Sequence, residues 1–94
     1  MTAQELIKIF LVPYKAHHGI NTYNTDAKLK KAGVPISRPI FWAILSDKPY
    51  AVHEKTRLKL YPFFQIPFKI VDGYSAVDAD FLEQLELEQQ AKND

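Results

Sequence analysis

Lys28, Lys30, Lys31, Arg38, Lys48, Lys55, Arg57 and Lys59 are the side chains of this sequence that share one chemistry. Over residues 27–60 they face only Asp47 and Glu54, which leaves eight cations against two acids and a net charge of +6. Closely spaced ammonium and guanidinium groups neutralise phosphates, so the pattern points to a phosphate-bearing polymer as partner. The tail has the opposite sign. Across residues 71–94, Asp72, Asp78, Asp80, Glu83, Glu86, Glu88 and Asp94 stand against Lys92 alone, a net −6. The overall charge of +1 conceals this division.

Other chemistry is poorly served. There is no cysteine, which excludes disulfides, thiolate nucleophiles and cysteine zinc sites and fits a reducing cytoplasm. His17 and His18 are adjacent, whereas ligands on a helix fall at i and i+4. His53 stands apart from them among basic residues. No phosphate loop and no Gly-x-Ser-x-Gly run is present, and the carboxylates crowd into the tail. The sequence therefore predicts no enzyme, no metal and no cofactor.

The elements that position the cations follow from local signals. A chain of 94 residues makes one small domain, with a core over about residues 2–65 and an extended segment and acidic helix over 66–94. No segment has the length and apolarity to cross a bilayer. Thr2 and Glu5 form a capping box ahead of Leu6, Ile7, Ile9 and Phe10. Pro13 predicts an end or kink near Leu11 or Val12, and Gly19 a stop. Asn24 or Thr25 caps a short cationic helix over 26–32, which ends at Gly33. Val34-Pro35-Ile36 is a turn, and Ser37 caps the next helix, with Pro39 tolerated in its first turn. Ile40, Phe41, Ile44 and Leu45 make its buried stripe. A loop at 46–50 precedes a helix from about His53 to Phe63 or Phe64, with Leu58, Tyr61 and Leu60 turned inward. Phe68 to Val71 alternates as a short strand or extended arm, whose partner strand would come from a second chain. Asp78, alone or with Ser75, caps a last helix striped by Val77, Phe81, Leu82 and Leu85. The fold class is mainly α.

A cationic helix, a glycine, a turn and a second helix opening with Ser-Arg is the order of a helix-turn-helix. The run Ile36-Ser37-Arg38-Pro39-Ile40-Phe41-Trp42-Ala43-Ile44-Leu45-Ser46, followed by Val52-His53-Glu54-Lys55-Thr56-Arg57, resembles the headpiece of the lactose-repressor family. Lys30-Lys31-Ala32-Gly33-Val34 resembles the ending that precedes the recognition helix in the lambda-repressor and Cro-like class. Trp42 and Ala43 stand where the lactose-repressor family carries Ser and Arg, and the turn holds two extra residues, Pro35 and Ile36. That family's ligand-binding domain has no counterpart here, so no sugar effector is implied.

The resemblance implies that residues 37–46 enter the major groove of double-stranded DNA. Arg38 is the expected base reader, or else a phosphate contact. Trp42 stacks on a sugar or meets a thymine methyl, or else anchors the core or a dimer interface. Ser37, Lys28, Lys30, Lys31, Lys48, Lys55, Thr56 and Arg57 are phosphate candidates, with Tyr50 beside them. One short helix covers few base pairs, so a homodimer is expected, through Phe68, Ile70, Val77, Phe81 and Leu85 unless these pack within the chain. The function implied is a small cytoplasmic transcription regulator, repressor-like and acting by operator occlusion, similar to those of phages and plasmids. The alternative is a protein-binding inhibitor or adaptor with a helix-turn-helix-like fold, which would engage its partner through the acidic C-terminal helix.

Overall fold

A computed structural model describes residues 1–93. Asp94, the last acid of the tail, lies outside the described residues. Helix α1 spans Ala3–His18. The Glu5 amide donates to the Thr2 hydroxyl at 3.1 Å, and the Thr2 amide donates to the Glu5 carboxylate at 3.3 Å. These backbone and side-chain bonds to Thr2 hold the Glu5 carboxyl below its ordinary pKa. Of the end or kink expected near Leu11 or Val12, the end does not occur: α1 runs through Pro13. Proline removes the bond to the Ile9 carbonyl, at a cost of about 3 kcal/mol in a helix interior. Packing on both sides outweighs that loss. Leu6, Ile7 and Leu11 are buried before it, and the Tyr14 ring after it meets Phe63 and Phe64 at 5.7 and 5.9 Å. The helix stops at Gly19, whose φ of 62° is the left-handed cap.

Helix α2 (Thr25–Ala32) and helix α3 (Arg38–Leu45) are joined by the turn over residues 33–37. Gly33 has φ 72°, and its N–H caps the Leu29 and Lys30 carbonyls. Asn24 occupies the cap position of α2 without a side-chain capping bond, because its Oδ1 accepts from the Asn21 amide instead. Ser37 likewise occupies the cap position of α3 while its hydroxyl makes no capping bond. A cap hydroxyl accepts from the second or third helical N–H; the second residue here is Pro39, which has none, so only the Ile40 N–H is left for it. Phe41 and Ile44 of α3 are fully buried, as their spacing predicts.

Helix α4 (Glu54–Phe63) buries Thr56, Leu60 and Tyr61. These positions share one helical face, which leaves Leu58 on the outside at 38% exposure rather than turned inward. Strands β1 (Phe68–Val71) and β2 (Tyr74–Val77) then form an antiparallel hairpin with Phe68 opposite Val77 and Val71 opposite Tyr74. The partner strand thus comes from the same chain. Asp72 and Gly73 take φ 52° and 84°, the double positive of a two-residue hairpin turn. Helix α5 (Ala79–Asn93) opens with the Asp78 carboxylate accepting from the Phe81 amide at 2.9 Å.

The core gathers Leu6, Ile7 and Leu11 of α1 with Leu29, Phe41, Ile44, Leu60 and Tyr61, and Leu85 of α5 closes it. Each such side chain contributes about 1.5–3 kcal/mol on burial. No helix among the described residues is long and apolar enough to cross a membrane.

Candidate nucleic-acid interface

The lysines of residues 27–60 fall on α2, the loop after α3, and α4, and Arg38 opens α3. Lys28 is half-buried on α2, and Lys30 and Lys31 are exposed beside it. Lys48 is exposed in the loop, and Lys55 and Lys59 are exposed on α4. Among the described residues none of these six lysines is ion-paired; the pairs that form join Met1 to Glu86, Lys8 to Asp47 and Arg57 to Glu54. Their charge is therefore unspent.

Arg57 and Thr56 behave differently from the rest. The Arg57 guanidinium donates to the Glu54 carboxylate and the Val52 carbonyl, and reaches the Ser75 hydroxyl at 3.4 Å. Glu54 in turn accepts from the Ser75 amide at 2.6 Å and its hydroxyl at 2.9 Å. Burial pushes the Glu54 pKa up, but the bonds from Ser75 and Arg57 outweigh it and leave the carboxyl below its ordinary value. This network fastens the hairpin to the start of α4. It neutralises Arg57, and Thr56 is buried, so these two phosphate candidates serve the fold.

Arg38 is the first residue of α3 and is exposed. One guanidinium N–H donates to the Thr22 carbonyl at 2.8 Å, which draws the group toward the turn before α2. Ser37 beside it is exposed. Trp42 is half-buried, with its indole N–H donating to the Thr25 hydroxyl at 3.0 Å. Its ring meets Phe41 edge-on at 5.0 Å, and the Lys15 ammonium lies 5.7 Å from its centroid. Trp42 thus bridges α2 and α3, with a cation–π contact to α1. The outer surface of α3 is consequently poor in hydrogen-bonding groups: Arg38 is the one polar side chain with N–H groups to spare.

The elements assigned to a dimer interface are largely used at home. Phe68 packs on Tyr61 at 5.6 Å, Phe81 stacks on Phe10 at 6.4 Å, Val77 lies against the core and Leu85 is 8% exposed. Ile70 differs. It is 55% exposed, next to Val71 and Tyr74 at the hairpin tip.

Gln4 and Lys8 also position the site. The buried Gln4 amide reaches the carbonyls of Ala43, Ile44, Ser46 and Lys48, and its Oε1 accepts from the Tyr50 amide at 2.8 Å. The Lys8 ammonium donates to the Ser46 carbonyl at 3.0 Å. Together they satisfy the end of α3 and set the loop that carries Lys48. The signal for Gln4 is its register: a polar residue three and seven positions before Ile7 and Leu11 lies on the buried stripe.

No group of three or more His, Cys, Asp or Glu side chains among the described residues could hold a metal ion. Comparison with known proteins finds no matching family model, no matching curated protein and no matching solved structure.

Proposed function

We propose that this protein binds duplex DNA through α2 and α3 and regulates transcription by occluding its site. The observation that carries the reading is the set of six unpaired lysines, three on α2, one in the loop after α3 and two on α4, while Asp80, Glu83, Glu86 and Glu88 lie apart on α5. Each phosphate contacted releases counterions, so affinity would fall with salt by a slope of about 0.9 per phosphate. Because α3 carries few groups for base edges, backbone contacts supply most of the affinity and sequence preference is modest. On this reading the protein works in the cytoplasm, takes no cofactor and catalyses no reaction. A homodimer would let two copies of α3 address successive half-sites, and the exposed Ile70, Val71 and Tyr74 of the hairpin are the surface for it.

The test is binding to labelled duplex fragments at two salt concentrations. Wild type should tighten at low salt, and Lys30→Ala/Lys31→Ala should weaken binding to all fragments alike and reduce the salt slope by about 2. Absence of binding at low salt would sink the reading. The second reading, a protein-binding adaptor, would then come forward. Leu87 favours it, being 54% exposed among the carboxylates of α5.

A further inference from the structure

We propose that Tyr23 and Arg38 form a clamp for the phosphodiester backbone at the edge of the two-helix unit. The inference rests on the DNA-binding reading and adds a residue to it.

Tyr23 is 96% exposed, and no aromatic contact of the described residues involves its ring. Its backbone is nevertheless tightly held. Asn21 Oδ1 accepts from the Tyr23 amide at 2.8 Å and from the Asn24 amide at 3.1 Å. Asn24 answers by accepting from the Asn21 amide at 2.7 Å and donating to the Gly19 carbonyl at 3.0 Å. The Asn21 carbonyl accepts from the Thr25 hydroxyl, which Trp42 of α3 also reaches. The turn is thus tied both to itself and to α3. It fixes the backbone of a large side chain that packs on nothing, which spares part of the ordering cost of a contact made there.

Arg38 completes the geometry. Its guanidinium is anchored to the carbonyl of Thr22, the residue next to Tyr23, and has no ion-pair partner among the described residues. An exposed phenol thus follows directly in sequence the residue that anchors the guanidinium, which keeps four N–H groups free. Both are donors, and the guanidinium fork matches two phosphate oxygens. The anchor also holds Arg38 beside the turn, which assigns it to the backbone in place of a base edge.

The experiment measures affinity for labelled duplexes of several sequences at low salt, with wild type, Tyr23→Ala, Tyr23→Phe and Arg38→Ala, and thermal unfolding of each. Tyr23→Ala should weaken binding about 3- to 10-fold on every duplex, the scale of one lost hydrogen bond. Tyr23→Phe should share that loss, and both should unfold as wild type does. Arg38→Ala should weaken all duplexes alike. If wild type binds and Tyr23→Ala binds equally well, the clamp is overturned while the DNA reading stands. If Arg38→Ala loses its preference for one duplex, Arg38 reads bases and the clamp is again overturned. If wild type binds no duplex, the DNA reading itself fails, and the clamp with it.

Discussion

The indole N–H of Trp42 donates to the hydroxyl of Thr25 at 3.0 Å, and this single bond ties α3 to α2. The hydroxyl in turn donates to the Asn21 carbonyl at 2.6 Å, so one fully buried oxygen links two helices and the turn before them. Thr25→Val keeps the shape and removes the relay. It leaves an indole N–H and a carbonyl without their partner, at an expected cost of roughly 1–3 kcal/mol. Urea unfolding followed by the fluorescence of Trp42, the sole tryptophan, reads the change directly. An unshifted midpoint would mean that packing alone sets the angle of the two helices.

Gln4 offers a second test of how α3 is held. Gln4→Leu retains the volume but strips the carbonyls at the end of α3 and the Tyr50 amide of their partner. The expected loss is again about 1–3 kcal/mol, with faster hydrogen exchange at the Tyr50 amide. Gln4→Glu should be harsher at neutral pH, because it turns a carboxylate toward carbonyl oxygens and gives up the amide donors. Equal stabilities of wild type and Gln4→Leu would show that water replaces the side chain.

The local half of this architecture is legible in the sequence. Thr2 with Glu5, Gly19, Gly33 and Asp78 mark helix ends by chemistry that needs only near neighbours, and all four do so in the structure. The Asp72-Gly73 pair carries a hairpin signal of the same kind, yet the alternation of Phe68 to Val71 by itself suggests a strand without a partner. Pro13 misleads because propensity is local while the Tyr14 contacts that override it come from residues 63 and 64. Gln4 and Glu54 are harder still. Their partners lie about 40 and 21 residues away, and nothing in a helical period reports a bond at that distance. The same limit applies to the cations: composition finds Arg57 among them, and only the fold reveals that Glu54 has claimed it.

Glu54 also makes stability depend on pH. Its folded pKa lies below the ordinary value near 4.5, since the bonds from Ser75 and Arg57 outweigh the effect of burial. A depressed folded pKa means the unfolded chain binds the proton more readily. The stabilisation is therefore present above the ordinary value and is lost as pH falls through the depressed one. Glu5, shifted the same way, adds to the same window. Thermal unfolding from about pH 6 to pH 2 should show the midpoint falling with acid, and Glu54→Gln should flatten part of that fall. An identical acid limb in the variant would assign the effect to other carboxylates.

Phe81 separates a core residue from a subunit contact. Its ring stacks on Phe10 at 6.4 Å, and Phe10 stacks on Phe64 at 5.8 Å, so α5 is fastened to α1 and the end of α4 by a column of three rings. Phe81 is half-buried, so Phe81→Ala should cost about 1–3 kcal/mol, less than the 3–5 kcal/mol of a fully buried phenylalanine. Because the contacts lie within one chain, that loss should be the same at every protein concentration. Unfolding midpoints measured across a hundredfold dilution, about two decades, decide the matter, since a residue at a subunit interface would make the midpoint itself depend on concentration. A wild-type midpoint that falls on dilution, with its gap to Phe81→Ala narrowing, would return α5 to the dimer interface. A constant one leaves the exposed hairpin tip, with Ile70, Val71 and Tyr74, as the surface by which two copies would meet.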